Sequence, residues 1–353
     1  MSYDQIPDYQ HIATDRPTTR RQWFFLVNIL LFVLTFFTTT VSGVEWVNKD
    51  PFELHNFSLG LQYSLAILFV LGCHEFGHYF AARYHNVETT LPFFIPWPSI
   101  PGFFLLNFGT LGAVIKTRSV VPSRKAMFDI GVAGPIAGFV ACLVILLVGF
   151  LNLPPKEYIL GIHPDFDFSI NDVPTPGGLS LAFGNTILFD SLRRLLTSPI
   201  REFVPPMTEI YHYPFLCVGW FGLFVTAMNL IPVGQTDGGH VVYSMFGQRH
   251  KFVARFAWIG LLLLGLPSFL DAFLRTALEY FKKEPFEQII PFAQYSWSGW
   301  LLWAGILYYV IKLYHPPVPD ETPLGPGRTI VGWCALAIFV ICFSFLPFSI
   351  SPH

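Results

Sequence analysis

The 353-residue sequence has little charge. Asp, Glu, Lys and Arg make up 12% of it, about half of the roughly 25% that is usual for soluble domains. Because charged side chains normally cover water-facing surface, most of this chain's surface is not expected to face water. The hydrophobic fraction of 53% and the mean hydropathy of +0.51 indicate the same. The composition therefore argues against a set of soluble domains and predicts a membrane protein.

The sequence also lacks a large net charge, and it lacks closely spaced pairs of cysteines. The formal net charge is −2, which gives no reason to expect a nucleic-acid partner. The five cysteines lie in apolar runs and form no Cys-x-x-Cys pair, which argues against a disulfide framework and against a cysteine zinc site. We find no internal repeat and no low-complexity tract.

Apolar runs that approach the length of a membrane span recur along the chain. A spanning helix needs about 20 largely apolar residues. Seven candidate runs cover residues 23–41, 59–84, 128–151, 215–231, 252–274, 298–314 and 329–346, of which the fourth and sixth are short. The first is longer than the core of a signal peptide, so we expect it to be retained as an anchor. The predicted fold is an all-α polytopic membrane protein, a bundle of about seven transmembrane helices.

Two segments between these runs need a different interpretation. Residues 91–114 are apolar but contain four prolines, which break helices, and lipid offers no partner for unpaired backbone groups. We expect a re-entrant or interfacial segment near 91–115, or a hairpin packed against other helices. Residues 152–213 form a long outer loop, in which 179–196 have the amphipathic pattern of a surface helix.

The positions of basic residues predict the orientation. Arg16, Arg20 and Arg21 precede the first span, which places the N-terminus in the cytoplasm. Counting spans then puts the basic residues within 116–125 and 249–251 on the same side. We expect a multi-pass protein of a bacterial inner membrane, and the sequence leaves its oligomeric state open.

The sequence His-Glu-Phe-Gly-His occupies residues 74–78, near the end of the second apolar run. On a helix, His74 and His78 lie one turn apart on one face and can bind the same metal ion, with Glu75 placed to activate a water. Ionisable residues at membrane depth are costly and usually functional. The alternative is that these side chains merely mark where the helix leaves the bilayer. We predict zinc bound by His74 and His78, with Glu75 as catalytic acid and base.

A third zinc ligand is expected from the polar break after the fourth run. Asp237 follows Pro232 and Gly234 there, at the same side of the bilayer as His74 and His78 by the span count. Irregular backbone at this depth is tolerated where it lines a watery cavity. Asp237 is the favoured ligand, although it could instead cap the next helix. His240 is a rival ligand whose role the sequence leaves open.

Two further features lie in the apolar runs beside these motifs. Asn229 could donate a hydrogen bond to the oxyanion or contact the substrate, or it could bond across helices, and we weigh these possibilities equally. Gly131, Gly134 and Gly138 are interpreted as helix-packing residues, since small residues let membrane helices approach closely. A role beside the zinc site is the secondary interpretation for these glycines.

The motifs together resemble the site-2 protease family of intramembrane zinc metalloproteases. The HEFGH run matches the family's first motif, and Asn229 to Pro232 followed by Asp237-Gly-Gly resembles its Asn-Pro-Asp-Gly motif. Residues 128–138 are similar to its glycine-rich segment. The likeness covers roughly 59–248. The outer loop of about 60 residues looks too small for the PDZ domain that many bacterial members carry, so we expect a form without one.

This resemblance implies a function and a division of the chain. One Zn²⁺ per chain would be held by His74, His78 and Asp237, with Glu75 catalytic. The partner would be a transmembrane protein cut within its span, and in family terms this would be the second cut of regulated intramembrane proteolysis. The implied units are a polar cytoplasmic tail (1–22), a first span with its outer segment (23–58), a catalytic core (59–248) and C-terminal helices (249–353).

Two other functions fit part of the pattern. A metal-ion or solute transporter also uses broken helices and buried ionisable residues, but the chain shows no paired halves. A proteolytically inactive homologue that binds membrane proteins would not need Glu75, which is present.

Overall fold

The computed structural model describes residues 18–98, 107–169, 179–198, 203–282 and 288–352. Most of the expected N-terminal tail and part of the proline-rich segment lie outside the described residues, as does part of the outer loop. Within them, the helices are α1 (Thr18–Glu45), α2 (Leu61–Tyr84), α3 (Arg124–Leu151), α4 (Glu157–Leu160), α5 (Ile187–Leu196), α6 (Pro214–Asn229), α7 (Asp237–Phe246), α8 (His250–Lys282), α9 (Gly299–Ile306) and α10 (Pro326–Cys342). The strands are β1 (Phe93–Pro96), β2 (Thr110–Val114), β3 (Leu179–Phe183) and β4 (Phe348–Pro352).

Each of the seven predicted apolar runs lies mainly in helix, although the fourth, sixth and seventh runs continue two, three and four residues beyond the helix end. Four stretches are long and apolar enough to cross a membrane, namely Trp23–Glu45, Leu54–Tyr84, Arg124–Leu151 and Asp237–Lys282. The helices over Pro214–Asn229, Gly299–Ile311 and Pro326–Cys342 are apolar but shorter. The prediction of a mostly helical, membrane-spanning protein is therefore confirmed, whereas the count of seven crossings is not.

Helix α3 lies at the centre of the structure, in contact with α2, α6, α7 and α10. Its first turn is capped by the Ser123 side chain, which accepts a hydrogen bond from the Ala126 N–H at 3.2 Å. Small residues allow close packing on both sides of the helix interface, because Gly77 of α2 lies against the Ala133 backbone of α3. This central position lets α3 support side chains from several other helices.

The proline-rich segment forms the hairpin that was one of the expected alternatives. Strands β1 and β2 pair antiparallel, and β1 packs against α1. The hairpin is tied to the helices by two hydrogen bonds. Thr38 donates to the Gly109 carbonyl at 2.6 Å, and Tyr63 donates to the Phe108 carbonyl at 3.1 Å. These bonds satisfy backbone groups that lipid could not.

The outer loop differs from its expected form. Residues 179–183 are strand β3, paired antiparallel with β4 near the end of the chain, so the expected helix over 179–196 is wrong in its first part. The helix starts only at Ile187, because the Thr186 side chain caps it by accepting the Phe189 N–H at 3.0 Å. An all-α fold therefore omits two small two-stranded sheets.

The packing of α1 on α2 generates a stability prediction. A Cβ on the buried Gly60 would lie 2.0 Å from the Thr40 carbonyl oxygen, which is backbone and cannot swing aside. We expect Gly60→Ala to destabilise the fold by about 1–3 kcal/mol, as other overpacked interiors do. Thermal unfolding in detergent should show a lower midpoint. Gly260→Ala in α8 is the matched control, since a Cβ there meets open space, and an equal loss in both variants would contradict this account.

Candidate metal centre and active site

Helix α2 presents the motif side chains to the protein interior. His74, Glu75 and His78 are buried, and the Nε2 atoms of the two histidines are 3.0 Å apart. His78 donates its Nδ1–H to the Ile130 carbonyl of α3 at 2.7 Å. Because that bond holds the ring proton on Nδ1, the Nε2 lone pair of His78 is left free to face a metal ion.

The chain turns back sharply between α6 and α7, which brings Asp237 to the first position of α7. Gly234 adopts φ +59°, and its N–H donates to the Leu313 carbonyl at 3.0 Å. Thr236 is the N-cap of α7 and accepts the Gly239 N–H at 3.0 Å. The capping role considered for Asp237 thus belongs to Thr236, and the Asp237 carboxylate is directed elsewhere.

That carboxylate meets the two histidines. Oδ2 of Asp237 lies 3.4 Å from Nε2 of His74 and 3.3 Å from Nε2 of His78. We refer to His74, His78 and Asp237 as the inner cluster. Zinc bonds of about 2.0–2.2 Å in a tetrahedral arrangement place neighbouring ligand atoms about 3.3 Å apart. The donor set and its spacing therefore fit zinc and leave a fourth position for water or substrate.

Two of the three predicted packing glycines lie directly against side chains of the inner cluster. A Cβ on Gly134 would lie 2.1 Å from Nε2 of His78, and one on Gly138 would lie 3.1 Å from Nδ1 of His74. Gly131 faces the Cβ of His240 at 2.7 Å by the same measure. The packing role and the role beside the site are the same contacts, because α3 packs on α2 through the site's own side chains.

Glu75 and Asn229 line a cavity of about 200 Å³ beside the inner cluster. Its walls come from α2, α3, α6 and the β2 strand, with Leu111 and Ala113 contributed by β2. The Asn229 side-chain nitrogen is 3.3 Å from Nε2 of His74. Asn229 therefore makes the cross-helix contact and borders the cavity at once, which leaves both of its expected roles open.

His240 is directed to a different partner from Asp237. Its Nδ1 is 2.8 Å from Nε2 of His315, whose Nδ1–H donates to the Pro316 carbonyl. Burial, followed by the neighbouring His250, lowers the pKa of His315 to about 4. The His315 ring is therefore neutral near pH 7, and its Nε2 accepts a hydrogen bond from the Nδ1–H of His240. This pairing gives His240 a supporting position one helical turn beyond Asp237.

Two groups of hydrogen bonds made by arginine side chains near the site, called braces here, were not predicted from the sequence. Arg328 of α10 holds Asp129 of α3 through two bonds of 2.8 Å, and Nε2 of His85, just after α2, lies 2.8 Å from the same carboxylate. Arg124 donates to the Ser244 carbonyl of α7 at 2.6 Å. A charged Asp129 at the start of an apolar run was the available signal for the first brace. The second brace has no spacing signal.

Comparison with known proteins identifies the family. The model of peptidase family M50 matches residues 62–266, which is more than half of the chain and includes the whole inner cluster. The chain belongs to peptidase family M50. This membership confirms the predicted relationship to site-2 proteases, and at the level of the family it confirms the zinc metalloprotease class and the zinc cofactor.

Several curated plant proteins are similar to this M50 member. The probable zinc metalloprotease EGY1, chloroplastic, of Oryza sativa subsp. japonica is 29% identical over 73% of this chain and 44% of its own length. The probable zinc metalloprotease EGY2, chloroplastic, of Arabidopsis thaliana is 28% identical over 70% of this chain and 40% of its own. The chain thus spans less than half the length of these relatives. No solved structure matches it at a significant level.

The expected bacterial inner membrane is contradicted by these comparisons. The EGY1 and EGY2 relatives of this M50 chain are named as chloroplastic proteins of plants. Basic residues report only which side of a membrane a segment faces, and they carry no information on which membrane it is. The expectation therefore went beyond its physical basis.

The contact between Gly134 and His78 generates a prediction on metal affinity. We expect the added methyl group of Gly134→Ala to displace the His78 ring from its position in the inner cluster. Zinc binding should therefore weaken roughly ten- to a hundredfold, the range seen when the surroundings of metal ligands are changed. Competition with a zinc chelator on purified protein measures this. Gly72→Ala, on α2 and facing open space, is the control. Unchanged zinc affinity in Gly134→Ala would show that the close contact does not position the ligand.

Proposed function

We propose that this chain is a zinc-dependent intramembrane endopeptidase that hydrolyses peptide bonds in the transmembrane segments of other membrane proteins. The observation that carries the proposal is the inner cluster, two buried histidines and a carboxylate held 3.0–3.4 Å apart beside Glu75 and a cavity between apolar helices. Family membership supports the class of reaction, and the apolar surroundings support the location of the bond that is cut.

The residues have separate roles in this proposal. His74, His78 and Asp237 hold one zinc ion, which when bound supplies Lewis acidity that polarises a carbonyl and acidifies water. Glu75 accepts a proton from the attacking water and delivers it to the leaving amine. Asn229 donates its side-chain N–H to the oxyanion that develops on the scissile carbonyl, since it borders the same cavity.

The cavity wall formed by β2 supports binding of an extended substrate. Among the described residues, β2 pairs with β1 on one edge and with no strand on the other, and its residues Leu111 to Val114 line the cavity next to Glu75. The backbone of Ile115, the next residue, contacts the Glu75 carboxylate. A transmembrane helix must unwind before its amides can be attacked, and pairing with a free strand edge stabilises the unwound form. β2 is placed to provide that edge.

The membrane topology and setting are also proposals. Counting α6, α9 with its following turn, and α10 as crossings gives seven spans, the first of them after the 1–22 tail. α6 has 16 residues and is about 24 Å long, shorter than a hydrocarbon core of about 30 Å, yet it is enclosed by other helices. The chloroplastic relatives support a chloroplast membrane, and the site-2 resemblance supports the second cut of regulated intramembrane proteolysis.

Removing the proposed acid and base separates chemistry from metal binding. We expect Glu75→Gln to abolish cleavage of a transmembrane substrate, by a factor of about 10² or more, while zinc content stays at the parent's level. Cleavage in proteoliposomes and elemental analysis of the same preparation give the two readouts. Glu88→Gln, outside the cavity, is the control. Unimpaired cleavage by Glu75→Gln would overturn the assignment of Glu75 as the acid and base.

Comparing two neighbours on α7 tests the third ligand. Asp237→Ala removes a carboxylate that points at both histidines, so we expect it to lower zinc affinity strongly. His240→Ala removes a side chain paired with His315, and we expect it to retain the zinc. Chelator competition measures both. The reverse order of affinities would transfer the ligand role to His240.

A further inference from the structure

A second group of side chains with metal-binding atoms lies before α6, at the opposite end of that helix from Asn229. His212 ends a short 3₁₀-helix (Ile210–His212), Glu209 is the residue before it, and His163 follows α4 in the outer loop. Nε2 of His163 and Nε2 of His212 are 2.8 Å apart. Oε2 of Glu209 lies 3.6 Å from Nε2 of His163 and 3.5 Å from Nε2 of His212. We refer to these three residues as the outer cluster.

The outer cluster matches the inner cluster in composition and spacing. Both contain two imidazole Nε2 atoms and one carboxylate oxygen, and within the described parts of the chain no other group of three or more such residues converges in this way. The carboxylate distances of 3.5 and 3.6 Å are close to the separation of about 3.3 Å expected around tetrahedral zinc. The two nitrogens would need to separate by about half an ångström from 2.8 Å to reach it.

The surroundings orient His212 as a metal site requires. His212 donates its Nδ1–H to the Trp46 carbonyl at the end of α1, so its Nε2 lone pair faces the cluster. The same kind of bond orients His78 in the inner cluster. Tyr158 donates to the His212 carbonyl at 2.6 Å, which fixes the backbone of the ligand.

Burial and charge favour a cation at this point. The side chains of Glu209 and His212 are 4% and 1% exposed, and that of His163 is 22% exposed. In the form that binds metal, with both imidazoles neutral and Glu209 ionised, the three groups would carry a net charge of −1, and a buried charge is stabilised by a compensating charge beside it. A divalent ion supplies that compensation. The partial exposure of His163 provides a path for the ion to enter.

The two clusters cannot share one ion. They lie at opposite ends of α6, whose 16 residues span about 24 Å. The outer cluster joins the outer loop to the end of α1 and to the start of α6. Its natural effect is therefore to hold these three parts of the chain together.

We propose that His163, Glu209 and His212 bind a second Zn²⁺ ion, which fastens the outer loop to the helical bundle. Two imidazole nitrogens and one carboxylate oxygen suit zinc, which takes such ligands in tetrahedral sites, whereas Mg²⁺ and Ca²⁺ prefer oxygen ligands alone. This second site takes no part in the proposed proteolytic mechanism.

Counting zinc in variants tests the second site. The protein is purified in detergent with an affinity tag that contains no histidine, and it is dialysed against micromolar Zn²⁺. Elemental analysis then measures the number of zinc ions per chain. We expect two zinc ions per chain in the parent and one in the inner-cluster variant His74→Ala/Asp237→Ala. Adding His163→Ala or Glu209→Gln to that variant should remove the remaining ion. His55→Ala is the control, since His55 pairs with Glu53 at 3.5 Å on an exposed surface.

The inner-cluster variant decides the question without altering any outer residue, so misfolding of an outer variant does not affect it. If that variant holds no zinc while the parent holds one, the second site is refuted and the proposed protease stands. A zinc ion that survives both His163→Ala and Glu209→Gln would also refute the assignment. As a second readout, Co²⁺ added to the inner-cluster variant should give the absorption bands of a tetrahedral site, and these should vanish with His163→Ala. Failure of the proposed protease would appear separately, as intact cleavage by Glu75→Gln.

Discussion

Helix α3 presents glycine, and not a larger side chain, where it crosses His78, and the geometry of the inner cluster depends on that contact. A Cβ at Gly134 would lie 2.1 Å from the ring nitrogen that faces the cluster. The close approach of α2 and α3 has a second effect, because it brings the Ile130 carbonyl within 2.7 Å of the other ring nitrogen. One packing contact therefore sets both the position of the ring and the nitrogen that carries its proton.

An irregular backbone segment, and not the packing of regular helices, brings the Asp237 carboxylate to the two histidines. Asp237 follows a break between α6 and α7, and a break at membrane depth is stable only if its backbone groups are paired. Here Gly234 donates to Leu313, Thr236 donates to the Ile231 carbonyl at 2.6 Å, and Gly239 donates to Thr236. Because these bonds leave the turn satisfied, the irregular backbone can direct Asp237 inward without a large energetic penalty.

The separation of interacting residues along the chain decides which features of the fold and the site could be predicted from the sequence. His74 and His78 are one turn apart, so helical periodicity alone places them together. The direction of Asp237 depends on Leu313, which lies in a distant segment that no local pattern connects to the turn. Strand β3 pairs with β4, more than 160 residues away, which explains why its segment looked like the start of a surface helix. The outer cluster joins His163 to His212 over 49 residues with no regular spacing.

Helix α6 gives both clusters a common electrostatic problem. At about 24 Å it is shorter than a hydrocarbon core of about 30 Å, so the polar groups at its two ends lie at the edges of the apolar layer. A carboxylate there loses hydration and needs a nearby cation. At each end the chain places one acidic residue with two histidines, one of which (His78 or His212) is oriented by a backbone carbonyl. A divalent ion bound at each cluster would balance the carboxylate and leave a single positive charge, because neutral imidazoles add ligand atoms without adding negative charge. That residual charge can polarise a substrate carbonyl where a cavity adjoins the cluster, as it does beside His74.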